Sequence, residues 1–395
     1  MISIRGEIMD ARLFTQMMAD SNLTDLKKLH YKYPDVDMRE FVSLLKESIY
    51  VWLPLLDFQG EPTAYLENVT QVQMKSLRTL LQPQQRGRFG LRAMEDEIGS
   101  TLKIEGIDTS RDSVRRILQG YAPVEEAEKR IYGMKRGLDF IAEPENKITQ
   151  ENIYQLYQMT VGEFLEEEDR LLPDRQYRHD AVYIVGEKVE HTGLPYQKLP
   201  EYMGQLVSFI QEDSPVNDLL KAAIIHFYLA YLHPYFDGNG RMARLLHLWF
   251  LVQRGYPSTL FVSFSSLIEE SRKAYYKAFT LAEENAKISG VLDVTPFLQY
   301  FIQNVYNKLD QTLPRGQVTE RFQSVLASGQ VTEKEQKLWN YVLSAYGTNP
   351  FSTKQLEKDY GDAAYATIRG FVRKFERLGL LDSQRYGNRV KYWVK

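Results

Sequence analysis

The sequence predicts a mainly α-helical fold with a small β-hairpin flap and a second, separate helix–hairpin domain at the C-terminal end. Three observations predict it. Runs of helical period fill most of residues 91–310. Two β-prone segments, 181–185 and 188–190, flank Gly186. Residues 332–394 read as three helices and then two strands. The 395 residues suffice for two or three domains, and 44% hydrophobic with 26% charged residues is a globular balance.

Taken in order, residues 1–90 form an N-terminal region expected to be helical, with an apolar and aromatic stretch at 50–56 that has no assigned role and a loop at 82–90. An amphipathic run from 91 ends at Gly106, a helix C′ position. The hairpin follows. An apolar run over 219–232 has helical period and stops at His233, because Pro234 pushes its predecessor out of the helical region. A further helix is predicted over 241–253, with Gly255 and Pro257 as stop signals. Pro314, Gly316 and Gly329 mark residues 311–331 as a linker. The last domain, 332–395, holds helices at 332–346, from 353 and at 363–378, then a hairpin turning at 386–389.

The segment between the two central helices carries the chemistry. Residues 233–244 read His-Pro-Tyr-Phe-Asp-Gly-Asn-Gly-Arg-Met-Ala-Arg. Gly238 and Gly240 can take positive φ, so successive N–H groups can converge on an anion. The helix that follows offers its N-terminal donors. Arg241 and Arg244 share one face of its first turn, where cations oppose the dipole. A bound polyphosphate reverses that sign through guanidinium–phosphate pairs. Asp237, so close to phosphates, reads as a Mg²⁺ ligand. His233 is left as the general base, with an intrinsic pKa suited to proton removal near neutrality.

These residues resemble the Fic signature, His-x-Phe-x-Asp/Glu-Gly-Asn-Gly-Arg-x-x-Arg. The resemblance implies a Fic helical core and transfer of AMP from MgATP to a Ser, Thr or Tyr hydroxyl of a target protein. It gives ATP and Mg²⁺ as cofactors. It makes His233 the base toward the target hydroxyl and Asp237 the metal ligand. Gly238, Asn239 and Gly240 hold phosphates, Arg241 contacts the phosphate chain, and Arg244 orders the γ-phosphate. Tyr235 replaces the usual phenylalanine, and its hydroxyl needs a partner. Upstream, Thr101-Leu-Lys-Ile-Glu105-Gly106 resembles the family's inhibitory motif, which implies that Glu105 pairs with Arg244, with Thr101 one turn earlier on the same face. The hairpin resembles the family's flap, which implies that Val182, Tyr183, Ile184 and Val185 dock the target backbone by strand addition. Tyr276 resembles the second tyrosine of a pair near the adenine.

The C-terminal order of elements resembles a winged helix-turn-helix. Residues 363–395 hold eight basic residues, among them Arg369, Arg373, Lys374, Arg377 and Arg389, against Glu376 and Asp382. A basic third helix with a basic wing suits DNA phosphates, although such folds also serve protein docking. An alternative function follows: a DNA-binding regulator whose Fic site is residual, nucleotide-sensing or de-AMPylating. A homodimer is a further expected partner, since many family members pair.

Composition bounds the rest. A formal net charge of −3 gives no global attraction to nucleic acid. The absence of cysteine excludes disulfides, thiolate metal sites and cysteine nucleophiles. The first residues lack an apolar signal core and no run approaches membrane length, so a cytoplasmic protein with no membrane partner is expected. The six histidines show no zinc-like spacing, and His226 and His247 lie within apolar runs as core groups.

Overall fold

The computed structural model describes residues 9–81, 90–185, 189–311, 316–346, 350–386 and 389–395. Two compact units interleave along the chain. Residues 1–72, 147–250 and 270–306 form one, and residues 73–146, 251–269 and 307–395 the other. This differs from the sequential division into 1–90, 91–310, 311–331 and 332–395. Sequence order records the path of the chain but not which faces bury against each other. Helices are numbered α1–α18 and strands β1–β6 in chain order.

The first unit opens with α1 (Ala11–Met18), α2 (Leu26–Lys32) and α3 (Met38–Leu44). Asp10, Asp25 and Asp37 cap them by accepting first-turn N–H groups. The N-terminal region is not purely helical, because β1 (Tyr50–Leu56) pairs antiparallel with β2 (Pro62–Leu66). The apolar stretch at 50–56 is therefore a strand. Its turn is closed by Asp57 Oδ1, which accepts from the N–H groups of Gln59 and Glu61. Core helices hold the hairpin from behind: the Tyr228 hydroxyl donates to Leu56 O at 2.7 Å and the Tyr202 hydroxyl to Asp57 O at 3.0 Å.

The same unit contains α8 (Gln150–Thr160), the flap strands β3 (Tyr183–Val185) and β4 (Val189–Thr192), α9 (Leu199–Gln211), α10 (Asp218–Leu232), α13 (Arg272–Ser289) and α14 (Thr295–Asn304). Helix α11 (Asn239–Gln253) follows the central loop. Helix α10 is buried on nearly every side, as an all-round apolar helix must be. His226 and His247 are fully buried beside Phe301. Burial holds the His247 imidazole down at about 3 and His226 well below the usual range, which makes both neutral core groups.

The second unit contains α4 (Met74–Leu81), α5 (Leu91–Ile104), α6 (Arg111–Leu118), α7 (Glu126–Ala142) and α12 (Phe264–Glu270). Helix α5 ends in a Schellman motif: Gly106, at φ 75°, donates to Lys103 O, and Ile107 N donates to Leu102 O. Further on, residues 316–327 form helix α15 (Gly316–Ala327) where a linker was expected. Gly316 opens that helix and Gly329, at φ 71°, follows its end, so these glycines delimit a helix where they had suggested irregular chain.

The C-terminal elements fall where the sequence placed them. Helices α16 (Glu333–Ala345), α17 (Thr353–Tyr360) and α18 (Tyr365–Arg377) precede antiparallel β5 (Leu381–Tyr386) and β6 (Arg389–Val394). A capping box at Thr332 and Glu335 starts α16, and Ser352 caps α17. Trp339, Phe351, Phe371 and Phe375 centre the core beneath them, which Phe322 of α15 joins. Helix α16 packs against α5, so the C-terminal elements and the Thr101–Glu105 helix share a unit. No helix among the described residues is long and apolar enough to cross a membrane.

Candidate active site

The loop between α10 and α11 is built by three local constraints. His233 leaves α10 in the left-handed conformation, φ 53° and ψ 60°, the only non-glycine residue with positive φ among the described residues. The sequence placed it outside the helical region, and the structure moves it to the left-handed region instead of the extended one. Such a conformation costs about 1–3 kcal/mol. One or two fully buried leucines of α10, each contributing about 1.5–3 kcal/mol, offset it. Gly238 makes the second sharp bend at φ 82°, and a Cβ there would stand 2.6 Å from the Val161 side chain. Gly240 does not use its freedom, because α11 begins at Asn239, two residues ahead of the predicted start.

The third constraint is Asn239. Its Oδ1 accepts from Tyr235 N at 2.9 Å and its Nδ2 donates to Tyr235 O at 2.8 Å. The amide therefore closes the loop. Arg241 is 2% exposed and its Nη2 lies 2.6 Å from Asp237 Oδ2, while its buried Nε has no hydrogen-bond partner among the described residues. The Asp237 side chain is half exposed. Arg244 is buried one turn further along α11. A half-exposed carboxylate, an arginine nitrogen without an acceptor and a helix N-terminus thus sit within one loop and turn. This donor set fits a polyphosphate with a divalent cation.

Tyr235 is fully buried and stacks on Tyr157 at 3.7 Å with an interplanar angle of 6°. The ring anchors the loop, but its hydroxyl has no hydrogen-bond partner among the described residues. An orphaned buried hydroxyl is destabilising. Tyr235→Phe is therefore expected to raise the unfolding free energy by about 1 kcal/mol, read from urea midpoints at unchanged m-value. A fall in stability would contradict this account of the pocket.

The remaining predicted residues are distributed as follows. Val182 and Tyr183 lie at the start of the flap, with Tyr183 opposite Thr192 and Ile184 opposite His191. Ile184 and Val185 belong to β3, and the turn at 186–188 lies outside the described residues. Tyr276 is 44% exposed on α13 with Arg272 over its ring, while Tyr275 is buried and bonded to His226. In the second unit Thr101 is fully buried and Glu105 is the C-cap of α5. On α18, Arg369, Arg373 and Arg377 are exposed on one face, and Arg389 is exposed on β6. Lys374 is engaged by Glu335 at 2.6 Å.

Two residues of this region escaped the sequence. His191, on β4, has Nδ1 at 2.8 Å from Glu283 and Nε2 at 2.8 Å from Tyr231 O, and its ring centroid is 6.3 Å from that of His233. Arg178 is 1% exposed and its guanidinium lies among main-chain carbonyls. Glu283 and Tyr231 for His191, and Leu194 and His233 for Arg178, lie far along the chain, so neither residue leaves a spacing signal.

A left-handed histidine at a helix end, a glycine turn and two buried arginines follow one another within residues 233–244. Residues 147–251 match the Fic/DOC family. The match to that family is confined to this segment, about a quarter of the chain. The chain is 25% identical over 223 residues to the protein adenylyltransferase Fic of Drosophila ananassae, a match covering 53% of this chain and 40% of that protein. The Drosophila erecta protein of the same name is 25% identical over 266 residues, covering 62% and 48%. The match thus spans less than half the length of these relatives. Among solved structures, a Fic family protein from Desulfovibrio desulfuricans G20 aligns at a TM-score of 0.48 with 17% identity, covering 77% of this chain and 86% of that one. Fic-1 from C. elegans aligns at 0.44 with 21% identity, covering 62% and 67%.

Proposed function

We propose that the chain is a protein adenylyltransferase, transferring AMP from MgATP to a Ser, Thr or Tyr hydroxyl of another protein. The observation that carries this reading is the closed loop 233–239, which sets His233 and the start of α11 on one rigid turn. The distant relatives named as protein adenylyltransferases support it.

Bound MgATP would supply an electrophilic α-phosphate and a pyrophosphate leaving group. His233 takes the proton from the target hydroxyl as that oxygen attacks. Asp237 would hold the cation. Among the described residues no cluster of three histidine or acidic side chains could hold a metal by itself. A Mg²⁺ ion at Asp237 would therefore draw its other ligands from phosphates and water. Gly238, Asn239 and Gly240 present their backbone to the phosphates, Arg241 neutralises the chain, and Arg244 orders its γ end. The flap at residues 182–185 takes the target backbone as an added strand, and Tyr276 borders the adenine. Glu105 is the brake: it competes with the γ-phosphate for Arg244, with Thr101 supporting it. Its place at a helix C-terminus supports this, since the dipole there disfavours an acid without a cation.

A second reading has its own support. The exposed arginines Arg369, Arg373 and Arg377 on one face of α18, and the exposed Arg389 on β6, are groups suited to duplex DNA phosphates. One experiment separates the two. The Glu105→Gly protein is incubated with magnesium and either α-labelled or γ-labelled ATP. Retention of the α-label alone supports nucleotidyl transfer. Retention of the γ-label means phosphotransfer and refutes the first reading. Retention of neither, with salt-sensitive DNA binding, favours the regulator.

A further inference from the structure

Buried charge is costly unless every hydrogen-bonding group is used, and Arg178 uses its own in an unusual way. Its Nε donates to the carbonyl of His233 at 2.7 Å. Its Nη1 donates to the carbonyl of Asp180 at 2.6 Å, and its Nη2 to the carbonyl of Leu194. Its main-chain N–H donates to Pro234 O at 2.9 Å. Burial lowers the guanidinium from its usual value to about 10, so it stays charged near neutrality.

The acceptors matter more than their number. Asp180 precedes β3 and Leu194 follows β4, so they are the two feet of the flap. His233 and Pro234 are the turn that carries the base. Gly193 shows how tight the junction is: a Cβ there would stand 2.7 Å from Arg178 Nη2 and 3.2 Å from His233 Cβ. An apolar residue could fill this volume, but it could not bind the carbonyls of Asp180, Leu194 and His233 at once. A planar fork can.

We infer that Arg178 is a positioning residue that locks the flap to the main chain of His233, so that a strand added to the flap presents its hydroxyl in register with the imidazole. This deepens the transferase reading and rests on it. Arg178 itself touches neither nucleotide nor target.

The test uses the full chain carrying Glu105→Gly. Arg178→Lys keeps the charge but loses the fork. It is expected to lower self-labelling from α-labelled MgATP by ~100-fold, the cost of a displacement of about 1 Å at a reacting centre. The calorimetric affinity for ATP should not change, and deuterium uptake should rise at residues 180–194 and 233–234. Arg178→Ala should label still less, and millimolar guanidinium should restore it where methylammonium does not. Labelling by Arg178→Lys at the parent rate would overturn the inference. So would a matching loss of ATP affinity, which would mark a merely structural group. If the parent labels nothing, the transferase reading fails, whereas the exchange measurement still reports on the lock. Unchanged exchange at both segments would then overturn it.

Discussion

His233→Ala, made in the Glu105→Gly background, is expected to lower AMP transfer by ~100- to 10,000-fold, the usual contribution of a positioned general base. ATP affinity should survive, because the proposed phosphate contacts come from residues 237–244 and not from the imidazole. The side chain is partly exposed at a strained helix end, so its removal leaves α10 intact. Histidine is enriched at positive φ, so alanine adds only a small strain to a conformation that is already costly. Thermal unfolding should therefore stay close to the parent's while labelling disappears. Residual labelling near the parent rate would mean that another group removes the proton, and the roles proposed above would have to be reassigned.

Glu105→Gly alone is expected to raise labelling by about 5- to 150-fold, the range of a typical coupling energy between two sites. The substitution is clean on structural grounds. Glu105 is the C-cap of α5, its φ is −84°, and the left-handed step is taken by Gly106. The Schellman bonds come from the main chain of Gly106 and Ile107, and they do not need the carboxylate. Helix α5 should keep its end, and a gain in labelling would belong to the lost acid alone. Equal labelling by both proteins would dismiss the brake.

The sequence was most legible where the signals are local. Helical period marked α16, and a cap at Ser352 or Thr353 marked α17, because both signals need only neighbouring residues. Pro234 and the glycines marked the central loop for the same reason. The signature motif then assigned roles that no periodicity contains. What stayed hidden depends on distant partners. The 50–56 stretch became a strand only through pairing with 62–66 and support from Tyr228 and Tyr202. Arg178 carries no local signal, because its carbonyl partners at Leu194 and His233 come together only in the folded chain. Helix α15 was missed because its two glycines were read as irregular chain. The grouping of α5 with α16 could not be seen at all, since it reflects which faces bury each other.

Asn239 spends both ends of its amide on Tyr235, so the turn is shut before any ligand arrives. Freezing a flexible chain costs about 1–2 kcal/mol per residue in entropy, and here that ordering is completed during folding. A nucleotide bound as proposed would therefore meet a preorganised seat. Its binding energy can go into affinity and alignment without being consumed in arranging the backbone.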